Sequence, residues 1–402
     1  MTITITPSAY SLSKDPILIA GNSAIDQSAH KARMRLHLYF GSDLVTPIAG
    51  LGVVLELTPD ADGTFVFNLS GLIDEYLGNN FDAPTHQITT LGVCNNSLTY
   101  FGFDVEEYED DVLIDSKVIQ DDYNSSNYYI AFQAGTPVEF LGMTSYMTWR
   151  ALRSYRPWQT WRTTQVVDTE MPVWAYYLYN SNSPLNMRCR VTLYVGGVAI
   201  LNYGVYATLL FTRGLYQINC GYAQLGIQAA LDGIGPGLVC DKYDVDITDI
   251  SANPTASKLT FVLNHNHYIN KNYLYWQNGI GGFDQIMLTG QEVTKADYER
   301  TTGALAWSID NGTEGLVQTY GNRETYGKKV HTGILSPVQI DALRGLLNSP
   351  RIYHFDGSRY RPIQLTEKSK EIIKSGEFLH HTTIEWRYAY KNKTYWPANA
   401  LS

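Results

Sequence analysis

The stretch from Trp149 to Arg162 holds the densest set of chemically capable side chains. Trp149, Arg150, Arg153, Tyr155, Arg156, Trp158, Trp161 and Arg162 stand together with no acidic residue among them. Aromatic rings interleaved with guanidinium groups can stack on bases and neutralise phosphates. They can equally stack on sugar rings or anchor a protein interface, where Trp, Tyr and Arg are enriched. The whole chain is acidic, with 30 basic against 39 acidic residues and a net charge of −9, which argues against a general nucleic-acid coat. Protein–protein docking is therefore the preferred reading and nucleic-acid contact the second. Internal packing, with arginine heads reaching back to water, is the plain alternative.

Other clusters carry less. Asn264-His265-Asn266-His267 would place two imidazoles on one side of a strand. Two histidines do not complete a metal site, and a polar turn is the preferred reading. His380-His381 is weaker still, because neighbouring strand residues face opposite ways. The run Glu106-Glu107-Tyr108-Glu109-Asp110-Asp111 lacks the glycine-punctuated spacing of a calcium loop and reads as a solvated hairpin or an acidic contact surface. Asp244, Asp246 and Asp249 read the same way. The chain has no Gly-x-Ser-x-Gly elbow, no His-Glu-x-x-His and no phosphate-binding lysine loop. Paired carboxylates for glycoside cleavage are a spatial property that a sequence does not display. No catalytic residue, metal or cofactor is expected.

The elements that must position these groups are mostly strands. Thr2–Thr6, Arg33–Tyr39 and Asp244–Thr248 alternate apolar and polar residues with period 2, and Gly, Asn, Asp and Pro interrupt such runs at short intervals. The expected class is mainly β: a multidomain chain of β-sandwich-like modules with a few short helices. A chain of 402 residues is too long for one ordinary core.

A weak internal repeat sharpens the division. Arg33-Met34-Arg35-Leu36-His37-Leu38-Tyr39-Phe40-Gly41 resembles Arg188-Cys189-Arg190-Val191-Thr192-Leu193-Tyr194-Val195-Gly196, and an Asn-Ser turn precedes each. Phe65–Leu69, running into Leu72, Ile73, Tyr76 and Leu77, matches Leu215–Asn219, running into Ala223, Leu225 and Ile227. Two copies of one module account for both. The expected domains are residues 1–125, a second and duplicated module at 126–256, and a C-terminal β-rich domain at 257–402. The last contains a helix near 336–348, where Ser336-Pro337-Val338-Gln339 forms a capping box and Ile340, Leu343 and Leu347 form a stripe. A hairpin turning at Asp356-Gly357 and a final strand over 382–390 follow.

Within this last part, Tyr273–Gly290 reads as two apolar strand arms meeting at a corner of Gly279, Gly281 and Gly282. Its Tyr275-Trp276-x-Asn278-x-x-Gly281-Gly282-Phe283-Asp284 pattern resembles a signature of structural proteins from tailed phages and prophages of Bacteroidetes-type bacteria. Ala20-Gly21-Asn22-Ser23-Ala24-Ile25 is similar to the family's N-terminal Asn-Pro-Ile turn, with Ser23 in place of proline. Leu346-Leu347-Asn348-Ser349-Pro350 is similar to its Leu-Leu-x-Ser segment before a late hairpin. The resemblance implies a virion component, in the tail or baseplate, that assembles with other virion proteins and with copies of itself, in a ring for example. It implies no reaction. DNA contact in a tail channel would be a secondary role. The rival readings are a receptor- or glycan-binding tail module using Trp158 and Trp161, a polysaccharide depolymerase, and a capsid-associated protein.

Composition fits this frame. The 30 tyrosines equal the lysines and arginines combined, and tyrosine suits both strands and interfaces. Cys94, Cys189, Cys220 and Cys240 show no Cys-x-x-Cys spacing and read as reduced thilos of a protein made in cytoplasm. Residues 1–13 carry no secretory signal, and no apolar run nears the ~20 residues of a membrane span.

Overall fold

The computed structural model describes residues 1–7, 10–25, 32–41, 47–79, 92–93, 98–118, 129–132, 160, 162–179, 185–204, 209–211, 214–249, 258–278, 282–304, 317–366, 381–389 and 392–393. The chain is mainly β and falls into two compact units. The first comprises Met1–Thr164, Pro172–Leu263 and Asn278–Asp284; the second comprises Gln165–Met171, Asn264–Gln277 and Gln285–Ser402.

The N-terminal part of the first unit contains β1 (Thr2–Ile5), β2 (Tyr10–Leu12), β3 (Leu18–Asn22), β4 (Ala32–Gly41), β5 (Pro47–Leu57), β6 (Thr64–Asn68), α1 (Ser70–Asn79), β7 (Gly92–Val93), β8 (Leu98–Glu109), β9 (Val112–Val118) and β10 (Tyr129–Phe132). One sheet runs β1-β3-β6. The other runs β2-β10-β8-β4-β5, with β9 beside β8. In β4 the alternation is complete: Met34, Leu36 and Leu38 are buried, and Arg33, Arg35 and His37 face outward. The inward set packs with Ile19, Phe65 and Phe67 of the small sheet and with Ile73 and Leu77 of α1. Gly21 is demanded by close approach, since a Cβ there would lie 2.1 Å from the Thr2 carbonyl oxygen. The Ala20-Gly21-Asn22 segment, expected in a turn, is thus strand, and the chain bends only after Ser23.

The rest of the first unit repeats this plan. After β11 (Thr164–Val167) come β12 (Trp174–Tyr179), β13 (Leu185–Val195), β14 (Val198–Gly204), β15 (Leu209–Phe211), β16 (Gly214–Asn219), α2 (Ile227–Asp232), β17 (Lys242–Asp249) and β18 (Leu259–Leu263). β12 pairs with β16 as β3 pairs with β6. β13 lies between β14 and β17 as β4 lies between β5 and β8.

The registers correspond as well. Leu18 faces Asn68, and Trp174 faces Asn219. Leu69 N donates to the Ile17 carbonyl at 2.9 Å, and Cys220 N donates to the Val173 carbonyl at 2.8 Å. Arg35 faces Glu106, and Arg190 faces Asp246. The residues that suggested a repeat in sequence occupy equivalent places in two copies of one topology. The expected boundary near 125 falls ahead of β10, which pairs with β8 and β2, while β7 joins β16.

The copies differ in what covers them. β17 is buried along most of its length, so Asp244 and Asp246 do not face solvent as the period-2 reading had them. Asp244 instead accepts from Tyr194 and from Thr260, each at 2.8 Å. Burial pushes the Asp246 carboxyl above its ordinary range, and the Arg190 charge opposes it. The acidic run of the N-terminal copy is a hairpin turning at Asp110 (φ 45°) and Asp111 (φ 68°). Its Glu107 is buried rather than solvated and accepts from the Ala24 amide at 2.9 Å. Cys189, Cys220 and Cys240 are buried thiols, and burial pushes the Cys189 thiol up to about 12. Cys94 lies outside the described residues.

The second unit is built on β19 (Asn272–Gln277), the part of β20 (Phe283–Leu288) from Gln285 onward, β21 (Glu292–Ala304), β22 (Val317–His331), α3 (Pro337–Asn348), β23 (Ile352–Phe355), β24 (Tyr360–Leu365), β25 (Thr383–Tyr388) and β26 (Asn392–Lys393). The sheet order is β20-β19-β23-β24-β25-β22-β21, with β26 beside β22. Both arms of the glycine-rich motif are buried throughout. The Asn278 side chain receives the Gly282 amide at 2.9 Å, which ties the ends of the corner together.

α3 starts as its sequence dictates. Ser336 accepts from the Gln339 amide, Gln339 reaches back to the Ser336 amide, and Pro337 sits in the first turn. Ile340, Leu343 and Leu346 form the buried stripe, with Leu347 half-buried at its margin; they pack over Leu274, Trp276, Ile352 and Trp386. Ser336→Ala removes the cap and is expected to cost about 1 kcal/mol, read as a lower urea midpoint at unchanged slope.

Candidate functional site

Of the aromatic and basic cluster, Trp149, Arg150, Arg153, Tyr155, Arg156, Trp158 and Trp161 lie outside the described residues. Arg162 is described and half-buried. It stands beside the one charged residue of the glycine-rich motif. Asp284 is 4% exposed, and Thr160 donates its hydroxyl to that carboxylate at 2.7 Å. Burial pushes the Asp284 carboxyl upward, and the Arg162 charge pulls it back. Arg162 thus balances a buried acid within the first unit.

His265 and His267 sit in an exposed loop after β18. Asn264 accepts from the Asn266 amide at 3.1 Å and donates to Tyr268 at 3.1 Å, so the segment is the polar turn its sequence suggested. No group of three or more metal-ligating side chains occurs among the described residues.

The second unit contains a cleft of about 610 Å³ that local sequence did not reveal. Residues facing each other across an antiparallel sheet share a side. Trp276 faces Ile352, and two residues along the same strands Leu274 faces His354. His354 in turn faces Arg361 on β24. The apolar row under α3 therefore adjoins polar side chains on the same face.

The polar groups form a connected network. His354 Nε2 donates to Asn272 Oδ1 at 3.1 Å, and Tyr388 donates its hydroxyl to His354 Nδ1 at 3.2 Å. Asn272 also donates to Glu292 at 2.7 Å, and Lys328 bonds both Asn272 and Glu292. Burial, with the Lys328 charge nearby, holds the His354 imidazole down at about 4, so the ring is neutral near pH 7. A neutral ring with its proton on Nε2 satisfies both of these hydrogen bonds.

A second cluster closes the rim. Asp168 accepts the Glu170 and Met171 amides on one oxygen; on the other it meets the Tyr273 hydroxyl at 2.9 Å and the Lys271 ammonium at 3.0 Å. Lys271 also reaches Glu170 at 2.8 Å. Opposite, Asp356 caps the hairpin turn by accepting the Ser358 and Arg359 amides and pairs with Arg361. Gly357, at φ 94°, makes that turn where the sequence located it. These bonds hold the Asp356 carboxyl far below the usual range despite the opposing effect of burial. The arrangement presents hydrogen-bond donors and acceptors side by side with tyrosine faces.

No protein-family model matches the chain, and no curated protein matches its sequence. What the fold defines is a modular, mainly β chain with one topology used twice. No helix among the described residues is long and apolar enough to cross a membrane.

Proposed function

We propose that the chain is a structural protein of a tailed-phage virion, a tail or baseplate component that assembles by docking on copies of itself and on neighbouring virion proteins. The observation that carries this reading is the β21–β22 ribbon. β21 ends the sheet order and runs for 13 residues with its outer side unpaired among the described residues. β22 is 15 residues long, yet β25 pairs only with Gly327–His331 and β26 only with Arg323 and Glu324. From Val317 to Asn322 its partner is β21 alone among the described residues.

A two-stranded ribbon has little stability of its own, and a long free edge is a template for pairing with another chain. Both faces of β21 are open to solvent over most of Val293–Glu299. Tyr298 is 60% exposed, Tyr326 is 38% exposed, and Val293 is 49% exposed. Exposed tyrosines anchor interfaces. Asp297 and Glu299, exposed along the same strand, would favour a partner of complementary charge. The resemblance of the glycine-rich motif and the repeated β-module support the same reading.

Light scattering on the purified chain tests it. The wild type is expected to elute as an oligomer. Tyr298→Ala with Tyr326→Ala, which removes exposed rings, is expected to weaken association at least roughly tenfold with an unchanged melting temperature. A wild type that stays monomeric at high concentration and binds no other virion protein contradicts the reading.

A further inference from the structure

The cleft of the second unit is separate from the ribbon's free edge, and we infer that it binds a neutral saccharide. The inference rests on how its charges are spent. Lys271 is matched by Asp168 and Glu170, Lys328 by Glu292 at 3.1 Å, and Arg361 by Asp356. An anion would have to pull a cation from its carboxylate, and a metal cation would have to displace an ammonium or a guanidinium. Both exchanges cost what the existing pairs contribute. A neutral ligand leaves every pair in place.

The ligand must also be rich in hydrogen bonds. An ammonium has three donors, so Lys271 keeps an N–H beyond those that meet Asp168 and Glu170. Glu170, whose side chain is 70% exposed, keeps acceptor sites beside Lys271. A sugar hydroxyl is donor and acceptor at once, so vicinal hydroxyls match donors and acceptors set side by side. Tyr268 also lines the cleft, and a tyrosine ring offers an apolar surface to a sugar C–H face. A volume of about 610 Å³ falls within the range of ordinary small-molecule sites.

The inference does not depend on assembly, since a monomer binds sugar as well as an oligomer does. Its test uses the full chain at pH 7, titrated with maltose, cellobiose, lactose and N,N′-diacetylchitobiose. Inorganic phosphate and glucuronate serve as charged comparators. Saturation-transfer NMR and calorimetry report binding, and the wild-type His354 imidazole resonances report its location. At least one neutral disaccharide is expected to bind and to shift the His354 signals. Glu170→Gln and Lys271→Met are expected to weaken that binding about tenfold each. Glu170 is exposed enough for its substitution to leave the fold intact. The inference is overturned if none of the four sugars binds, if binding leaves His354 unmoved, if neither folded variant weakens it, or if phosphate or glucuronate binds more tightly.

Discussion

Trp276→Ala is expected to destabilise the second unit by about 3–5 kcal/mol, the range for deleting a large buried ring whose cavity cannot fully collapse. Trp276 is 1% exposed and lies within the cluster that joins β19 to Leu343 and Leu346 of α3. The helix is fitted to the ring. A Cβ on Gly345 would come within 2.9 Å of the Trp276 indole nitrogen, so the glycine sets how closely helix and sheet approach. Removing the ring leaves α3 over a void bounded by strands that cannot move inward without breaking their ladders. Hydrogen exchange at the amides of α3 and β19 isolates this unit from the rest of the chain, which need not unfold in one step. A loss below about 1 kcal/mol would mean that the helix is held by something other than this contact.

The second large effect is acid sensitivity of the same unit. His354 is neutral when folded, with its imidazole held down at about 4, while an unfolded histidine titrates near its ordinary value. Between those values the unfolded chain binds the extra proton, so stability falls as pH falls. The contribution is fully present above about pH 6.5 and is lost progressively toward pH 4, amounting to about 3 kcal/mol. Burial, the largest effect, acts with Lys328 and Arg361 against the imidazolium, and Glu292 and Asp356 favour it. Urea midpoints of the second unit measured from pH 7.5 to 4.5 should fall for the wild type. In His354→Gln, which cannot titrate, that slope should largely disappear. Equal slopes in both proteins would show that His354 takes up its proton over the same pH range folded and unfolded.

What the sequence disclosed was local. The capping box at Ser336, the turn at Gly357 and the two apolar arms flanking the glycine corner each depend on residues a few positions apart. Short-range geometry decides them. The repeat was legible because Arg35 and Arg190 keep the same strand context, with Asn68 and Asn219 each ending the strand that precedes a helix.

Features that depend on distant partners were hidden. Asp244 and Asp246 have the alternation of a half-solvated strand, yet residues elsewhere cover both faces of β17. The cleft draws on Asp168, Lys271, Lys328, His354 and Tyr388, and no pair of them lies at a spacing that suggests chemistry. The one available signal was a histidine in an otherwise apolar strand, Ile352-Tyr353-His354-Phe355. It shows a buried imidazole but not the partners that hold it. The Trp149–Arg162 cluster was conspicuous for its composition, and only Arg162 is placed by the described residues, beside Asp284.

The proposed place of this chain is in a virion, where it works by assembly. Immunogold labelling of the phage particles in a lysate that contains the chain, with antibody raised against the purified chain, tests this most directly. The expected result is gold concentrated at the tail or baseplate, at a constant position from particle to particle. Particles that carry no gold, while the chain is detected free in the same lysate, would contradict it.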